Sequence, residues 1–289
     1  MGGIIRGGTT PSAVLVLGAA GEIGRGVVRA AVDAGHPVVA VDADRRALAA
    51  LRAGCPDARL ATVSAAIASD GDAARLAARL RAMGIRLQGV VASLVGTHRC
   101  GRLIDQPAEV LRETLDRDLM PHLFAARHLF PLLPHDGRHG YVLVGGPGGE
   151  HPWAGYGHCS IVAAALRMMA RVLRDEAGRH GLRVQLLPLD APLRSDGAER
   201  PDGASPRAIA MGTRALAMLG LPRTAGGGTP VSITPGVIED VPGQAASLPQ
   251  GEAIVAGREA VLPARDLRDA RALLRSLVPT PHVPWNPQP

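Results

Sequence analysis

Ala13-Val14-Leu15-Val16-Leu17-Gly18-Ala19-Ala20-Gly21-Glu22-Ile23-Gly24 combines an apolar run, a glycine turn and the start of a helix. The first five residues predict a buried β-strand, and Ile23 opens a segment whose apolar residues keep helical spacing to Ala34. Glycines between a strand and a helix let a diphosphate approach the free N–H groups at the helix N-terminus. We therefore expect a dinucleotide-binding turn containing Gly18, Gly21, Glu22, Ile23 and Gly24.

The following residues repeat this alternation of strand and helix. Further apolar runs predict strands at residues 37–41, 61–63, 89–92, 141–144 and 184–187, and a short strand at Pro230–Thr234. Helical segments are predicted at 23–34, around Leu48 and Leu51, at 73–81, at 107–133 with interruptions at Pro121 and Pro131, at 160–177 and at 206–219. Continuous apolar strands alternating with helices indicate a parallel sheet covered on both faces. The predicted fold class is α/β, a Rossmann-like doubly wound sheet of about seven strands.

The character of the chain changes near Pro235. Residues 1–235 are expected to form a single domain. Residues 236–289 are rich in proline and glycine and are expected to form an extension with one helix at Ala264–Leu277. The prolines of Pro279–Pro289 exclude a helix and predict an extended arm.

Asp42 ends the second predicted strand, 18 residues after Gly24. A carboxylate at this place accepts the hydroxyls of an adenosine ribose and repels a 2′-phosphate, so NAD is favoured over NADP as the cofactor. Arg45 and Arg46 lie close by and keep NADP open as an alternative. A second interpretation gives the glycines a packing role only, with no cofactor bound.

All 32 basic residues of the chain are arginine, and lysine is absent. A GC-rich gene explains such a bias on the surface. In a buried site arginine does not replace lysine, because its guanidinium stays protonated and has a different reach. The formal net charge is +6, but arginines alternate with acids, as in Asp116-Arg117-Asp118, which indicates solvated helix faces rather than nucleic-acid binding.

The composition excludes several other classes of protein. Aromatic residues make up only 2% of the chain, so no stacking platform for single-stranded nucleic acid is expected. No apolar run reaches the about 18 residues of a membrane span, and the N-terminus lacks the pattern of a signal peptide. Three widely spaced cysteines fit neither a disulfide framework nor a zinc ribbon. We expect a cytoplasmic protein that acts on a small molecule and has no nucleic-acid or membrane partner.

Residues 11–235 resemble the short-chain dehydrogenase/reductase family in the order and spacing of their motifs. The resemblance rests on the glycine turn, on Gly89-Val-Val-Ala92 followed by Gly96, on Tyr141-Val-Leu-Val144-Gly-Gly and on Ala163-Ala-Ala-Leu166. It implies a nicotinamide dinucleotide cofactor with Gly96 beside it, and a homo-oligomer, either a dimer or a tetramer. It also implies an active site of Asn, Ser, Tyr and Lys, in which the lysine lowers the pKa of the acid/base tyrosine and holds the nicotinamide ribose.

The chain departs from that active-site pattern nearly everywhere. Asp118 takes the place of the helix asparagine, Gly145 or Gly146 that of the serine, and Cys159-Ser-Ile-Val-Ala163 that of Tyr-x-x-x-Lys. Tyr156 lies three residues before the tyrosine position without a cation to tune it, and an unassisted phenol titrates at about 10. We therefore expect an atypical member with a degenerate catalytic tetrad.

Six side chains are expected to converge at the carboxyl end of the sheet as candidate catalytic groups. They are His98, Asp118, His151, Tyr156, His158 and Cys159. Histidine is an acid/base near neutrality, and Asp118 could orient or charge one. Cys159, near a helix N-terminus, could have a depressed pKa and act as a nucleophile, or it could be a small apolar filler. Some of the histidines could be exposed loop residues. A metal site from the three histidines lacks a recognisable ligand spacing, so none is predicted.

Three functions fit these observations. The favoured one is a small-molecule enzyme that uses the fold for non-standard chemistry, such as cyclisation, isomerisation or elimination, in bacterial secondary metabolism. The second is an NAD(P)-dependent oxidoreductase with relocated acid/base groups. The third is a non-catalytic subunit or scaffold.

Overall fold

The computed structural model describes residues 12–56, 58–96, 98, 100–189 and 204–221. Six strands and seven α-helices alternate in this part of the chain. The strands are β1 Ser12–Leu17, β2 Val38–Asp42, β3 Leu60–Ser64, β4 Arg86–Ala92, β5 Gly140–Val144 and β6 Arg183–Leu187. The helices are α1 Glu22–Asp33, α2 Arg45–Ala53, α3 Asp70–Ala82, α4 Ala108–Asp118, α5 Met120–Leu129, α6 Gly157–Gly178 and α7 Pro206–Met218.

The six strands form one parallel sheet in the order β3-β2-β1-β4-β5-β6. Helix α1 packs against α7, whereas α3 packs against α5 and α4 against α6, so both faces of the sheet are covered. The strand order reverses between β1 and β4, the place at which a doubly wound sheet forms a ligand-binding crevice at its carboxyl edge. The predicted fold class is confirmed. The strand predicted at Pro230–Thr234 and the extension 236–289 lie outside the described residues.

The core consists mainly of Val, Ala and Leu. Strand β5 is buried along its whole length, and its Tyr141 is the largest fully buried side chain. The Tyr141 ring lies edge-on to Phe130, with ring centroids 5.1 Å apart. One of the two tyrosines of the chain is therefore a core residue and not a candidate acid/base. Among the described residues, no helix has the length and apolar character needed to cross a membrane.

Two helix boundaries position the residues of interest. The predicted interruption near Pro121 is confirmed, since α4 ends at Asp118 and α5 begins at Met120. Proline is tolerated there because the N–H groups of a first helical turn have no intrahelical partner. Helix α6 begins at Gly157, three residues before the predicted start, so its first turn includes His158 and Cys159.

Helices α1 and α7 cross at two glycines. A Cβ atom added to Gly26 would lie 2.1 Å from the carbonyl oxygen of Ala208, and one added to Gly212 would lie 2.4 Å from the carbonyl oxygen of Gly26. Neither backbone can withdraw without shifting its helix. The close approach of α1 and α7 therefore requires glycine at both positions.

Gly26→Ala is expected to destabilise the fold by about 1–3 kcal/mol, because overpacking a helix crossing costs this much. In an exposed helix the same change favours folding, since alanine has the higher helix propensity. Gly71→Ala, on the exposed first turn of α3, is the matched control, because its added Cβ would meet only the ends of flexible side chains. Chemical denaturation of the two variants measures the difference, and equal stability would contradict the crossing.

Candidate active site

The glycine turn between β1 and α1 is held by backbone contacts. Gly18 has φ +68°, and a Cβ atom there would lie 2.0 Å from the Ser93 carbonyl oxygen. A Cβ atom on Gly24 would lie 2.0 Å from the Gly18 carbonyl oxygen. Gly21 is the N-cap of α1 and supplies no side-chain cap. Packing thus accounts for Gly18 and Gly24, and the uncapped start of α1 leaves N–H groups available to an anion.

The other two residues of the predicted turn have structural roles. Ile23 is buried in the core beneath the turn. Glu22 is the first residue of α1, and its carboxylate accepts a hydrogen bond of 2.9 Å from the hydroxyl of Ser205. Ser205 is also the N-cap of α7. Glu22 therefore links the turn to α7.

Asp42 lies at the end of β2 in an open cleft of about 600 Å³. Its Oδ2 accepts a hydrogen bond of 2.9 Å from the Ala20 amide, and its Oδ1 accepts one of 3.0 Å from the Asp44 amide. A carboxylate has about four acceptor sites, so two remain for a ligand. The cleft is lined by Gly18 and Gly21, by residues 41–43, 65–68 and 93–96, and by Glu113, Asp116, Arg117 and Pro121.

A buried carboxylate lies just beyond this cleft. Asp118, the last residue of α4, is 5% exposed. Its Oδ1 accepts hydrogen bonds from the Gly96 amide at 2.9 Å and from Arg117 Nε at 3.1 Å, and its Oδ2 lies 3.2 Å from His98 Nε2. A Cβ atom on Gly96 would lie 2.4 Å from Arg117 Nε, so the glycine leaves room for the guanidinium.

His98 lies between the carboxylate of Asp118 and the guanidinium of Arg117. Arg117 Nη2 is 3.1 Å from His98 Nδ1. Because a guanidinium only donates, Nδ1 accepts and the ring proton is on Nε2, where it is donated to Asp118. Burial lowers the pKa of His98, Asp118 opposes this effect, and Arg117 and His158 lower the pKa further. His98 is therefore a neutral imidazole at pH 7.

His158 and Cys159 approach His98 from the first turn of α6. The rings of His98 and His158 have centroids 5.8 Å apart. His158 is 2% exposed, and its Nδ1 has no hydrogen-bond partner in the described part of the chain. Asp118 had been expected to orient or charge one of these histidines, and the structure brings it to His98.

The structure argues against Cys159 as a nucleophile. Burial, together with the charge of Asp118, raises the pKa of the Cys159 thiol to about 11. At neutral pH the residue is a thiol and not a thiolate. The expectation of a depressed pKa is wrong, since the thiol is enclosed rather than exposed to the helix N-terminus. The alternative expectation, a small apolar filler, fits the geometry.

A small cavity of about 50 Å³ lies among these residues. The wall formed by α6 is apolar and consists of Cys159, Val162, Ala163 and Leu166. His98, Asp118 and Trp153 also line the cavity. Ala163 stands four residues after Cys159, where the family resemblance implies lysine. The carboxylate and the imidazole that line this cavity thus come from α4 and from the loop after β4.

Tyr156 and His151 precede α6 and differ in their placement. Tyr156 stacks on Trp153, with ring centroids 4.0 Å apart, and its ring centroid is 6.4 Å from that of His158. The Ser160 hydroxyl accepts from the Trp153 amide and donates to the Tyr156 carbonyl oxygen, which fixes this turn. His151 is exposed and lines neither the cleft nor the small cavity.

A metal ion fits this cluster poorly. His98, His158 and Cys159 each offer one ligand atom, and these atoms lie within 4.8 Å of one another. Tetrahedral zinc would require ligand atoms about 3.5 Å apart. Both ring nitrogens of His98 are already engaged, and the guanidinium at its Nδ1 would repel a cation. The donor set is better suited to moving a proton.

Arg117 was missed from the sequence. Asp116-Arg117-Asp118 has the pattern of a solvated helix face, and this interpretation is wrong for Asp118. Asp118 is buried, and Arg117 folds back over Gly96 to reach it. An arginine adjacent in sequence to a buried carboxylate is the signal that could have indicated the pair.

The parallel sheet and the cleft at its switch point define a protein of the doubly wound, dinucleotide-fold class. A family profile described as enoyl-(acyl carrier protein) reductase matches residues 18–199, more than half of the chain. The chain belongs to this family, within the short-chain dehydrogenase/reductase superfamily. No curated protein matches the chain.

Solved structures of the same superfamily resemble the chain. A short-chain dehydrogenase from Streptomyces avermitilis is 26% identical over 64% of this chain and 68% of its own, with a TM-score of 0.56. An oxidoreductase of the family from Burkholderia thailandensis is 31% identical over 62% of this chain and 68% of its own, with a TM-score of 0.53. A Pseudomonas aeruginosa short-chain oxidoreductase, described as containing an atypical catalytic center, shares the fold at 22% identity, with coverages of 61% and 69% and a TM-score of 0.55.

The environments of the cysteines predict their reactivity. Cys100 is exposed, whereas Cys55 and Cys159 are buried. Iodoacetamide at pH 7.5 (about one unit below an ordinary thiol pKa) is expected to label Cys100 first. Cys159 is expected to react about a hundredfold more slowly, because its thiolate fraction is small. Mass spectrometry of peptides after timed labelling measures both rates. Rapid labelling of Cys159 in a Cys100→Ser variant, with denatured protein as the reference, would contradict the raised pKa.

Proposed function

We propose that this chain is a nicotinamide-dinucleotide-dependent oxidoreductase in which the pair His98–Asp118 replaces the acid/base tyrosine and its lysine. One observation carries the proposal. The cleft that starts at the glycine turn and Asp42 reaches Arg117, and Arg117 contacts both His98 and Asp118. A cofactor site and a proton-transfer group are therefore contiguous.

The residues of the cleft fit a dinucleotide. Gly18 allows close approach to the loop after β4, and the uncapped N-terminus of α1 suits a diphosphate. Asp42 retains acceptor capacity for ribose hydroxyls, which favours NAD, while the exposed Arg45 and Arg46 leave NADP as the competitor. The Pseudomonas aeruginosa oxidoreductase has been solved with NADPH bound. A bound nicotinamide would supply or accept a hydride.

The protein's own groups would handle the proton. Neutral His98 can accept a proton at Nδ1, and the resulting imidazolium would be stabilised by Asp118 at its Nε2. The carboxylate of buried Asp118 itself accepts hydrogen bonds from the Gly96 amide and from Arg117. Tyr156 is adjacent but has no lysine to tune it, since the chain contains none. His158 and Cys159 complete the surroundings of His98.

Chemistry without hydride transfer is the second candidate. A neutral histidine paired with a buried carboxylate suffices for proton abstraction, so cyclisation, isomerisation or elimination stay predictions for this site. A non-catalytic subunit is the third. The homo-oligomer also stays a prediction, and the exposed Ile161, Met168 and Val172 of α6 provide an apolar strip that a second copy could cover.

Asp42→Asn is expected to weaken NADH binding about 10- to 100-fold, because a hydrogen bond to a charged group contributes about 1.5–3 kcal/mol. Loss of the charge should also reduce discrimination against NADPH. Isothermal titration with both cofactors measures these affinities. Asp44→Asn is the control, since Asn caps α2 as well as Asp does. If the wild-type chain bound neither cofactor, the proposal would fail.

His98→Gln is expected to lower turnover by a factor of about 10² to 10⁴, the usual contribution of a general acid/base, while leaving the NADH affinity unchanged. The measurement is NADH oxidation across a panel of aldehydes and ketones, with NAD⁺ reduction across the matching alcohols. His139→Gln is the control, because His139 pairs with Asp136 away from the cleft. Tight NADH binding without hydride transfer to any compound would favour the non-hydride alternative, and full activity in His98→Gln would remove His98 from the mechanism.

A further inference from the structure

We infer that Arg117 is a positioning residue that, together with Asp118, holds His98 in the neutral Nε2–H tautomer and covers the Nδ1 atom through which His98 exchanges its proton. The catalytic part of this inference rests on the proposed function. The tautomer and its control by Arg117 do not, so the two can fail separately.

The guanidinium of Arg117 is fixed by several contacts. Its Nε lies 3.1 Å from Asp118 Oδ1, and its Nη2 lies 3.5 Å from Asp118 Oδ2 and 3.1 Å from His98 Nδ1. Contacts through two different nitrogens set both the position and the plane of a rigid guanidinium. Gly96 lets it lie against the loop after β4, since a Cβ there would clash with Nε.

This arrangement determines the proton positions on His98. Nδ1 faces a group that can only donate, and Nε2 faces a carboxylate that accepts. A proton on Nδ1 would place two donors against each other and a second positive charge beside the guanidinium. His98 can therefore be protonated at Nδ1 only when Arg117 moves away from it.

Arg117 is placed so that it can move when a ligand binds. Its side chain is 46% exposed and lines the cofactor cleft, whereas His98 and Asp118 line the small cavity. Among the described residues that line the cleft, Arg117 is the only basic one. An electronegative ligand atom entering from the cleft would therefore meet this guanidinium before it meets Nδ1. Release of Nδ1 would then coincide with occupation of the site.

The other titratable groups near His98 differ in their effect on its pKa. Asp118, on α4, favours the protonated ring, while His158 of α6 disfavours it. Cys159, also on α6, stays a neutral thiol at pH 7 because its pKa is raised. Replacing Arg117 therefore removes a positive charge beside His98 and leaves the neighbouring side chains of α6 unchanged.

Nuclear magnetic resonance of the full chain with ¹⁵N-labelled histidine tests the inference, with His98→Gln used to assign the His98 signals. In the wild-type protein His98 should show the Nε2–H tautomer at pH 7 and a pKa below the ordinary range. In Arg117→Met the pKa should rise, because no guanidinium opposes a proton at Nδ1, while Asp118 keeps the neutral ring in the Nε2–H tautomer. Arg117→Lys keeps a cation and should lie between the two. Arg112→Met, an exposed position on the same helix, should match the wild type.

The enzymatic readout uses the same variants. If His98 is the base, a higher pKa in Arg117→Met moves the acidic limb of the kcat/KM profile to higher pH, because the ring must be unprotonated to accept a proton. An unchanged His98 pKa in a folded Arg117→Met protein would overturn the inference, and so would an Nδ1–H tautomer in the wild-type protein. A raised pKa in Arg117→Met without measurable hydride transfer in any variant would support the positioning role and count against the proposed oxidoreductase function.

Discussion

The Ser93 carbonyl oxygen lies where a side chain at residue 18 would begin. This contact between Gly18 and the loop after β4 is made of backbone alone, and it holds the two loops together at the point where the strand order reverses. The turn can then present the start of α1 to the cleft, and the loop after β4 can carry Gly96 and His98 across to α4. Any larger residue at position 18 would push these loops apart. The cleft would then no longer adjoin His98 and Asp118.

A second constraint follows from the burial of Asp118. An ionised carboxylate removed from water is costly unless charges and hydrogen bonds compensate it. The Gly96 amide, the Arg117 guanidinium and His98 supply that compensation. The cation beside Asp118 is therefore Arg117 of the same helix, α4. The residues of α6 that line the small cavity are apolar.

The sequence predicted the layers of the fold and the edge of the sheet at which the candidate residues lie, because both depend on local patterns. Apolar runs of strand length and the glycine turn are visible without any tertiary contact, and the six strands within the described residues appear where such runs occur. The side-chain contacts within the candidate site could not be predicted in the same way. That Asp118 contacts His98, that Arg117 folds over Gly96 and that the Cys159 thiol is enclosed all depend on how α4, α6 and the loop after β4 meet in space. The charge alternation around Asp118 predicted a solvated face, whereas its side chain is buried.

The absence of lysine acquires a physical meaning from this arrangement. Composition alone would allow an arginine at the lysine position, yet Ala163 occupies it and is buried against the small cavity. A guanidinium there would have to be buried on the apolar side of the cavity, at a cost that only a matching anion could offset. With the cation on α4, next to Asp118, that cost does not arise, and His98 lies between the guanidinium and the carboxylate. Under the proposed function, the absence of lysine from α6 and the charge cluster on α4 are linked, because the cation lies beside Asp118 on α4 and not at position 163 on α6.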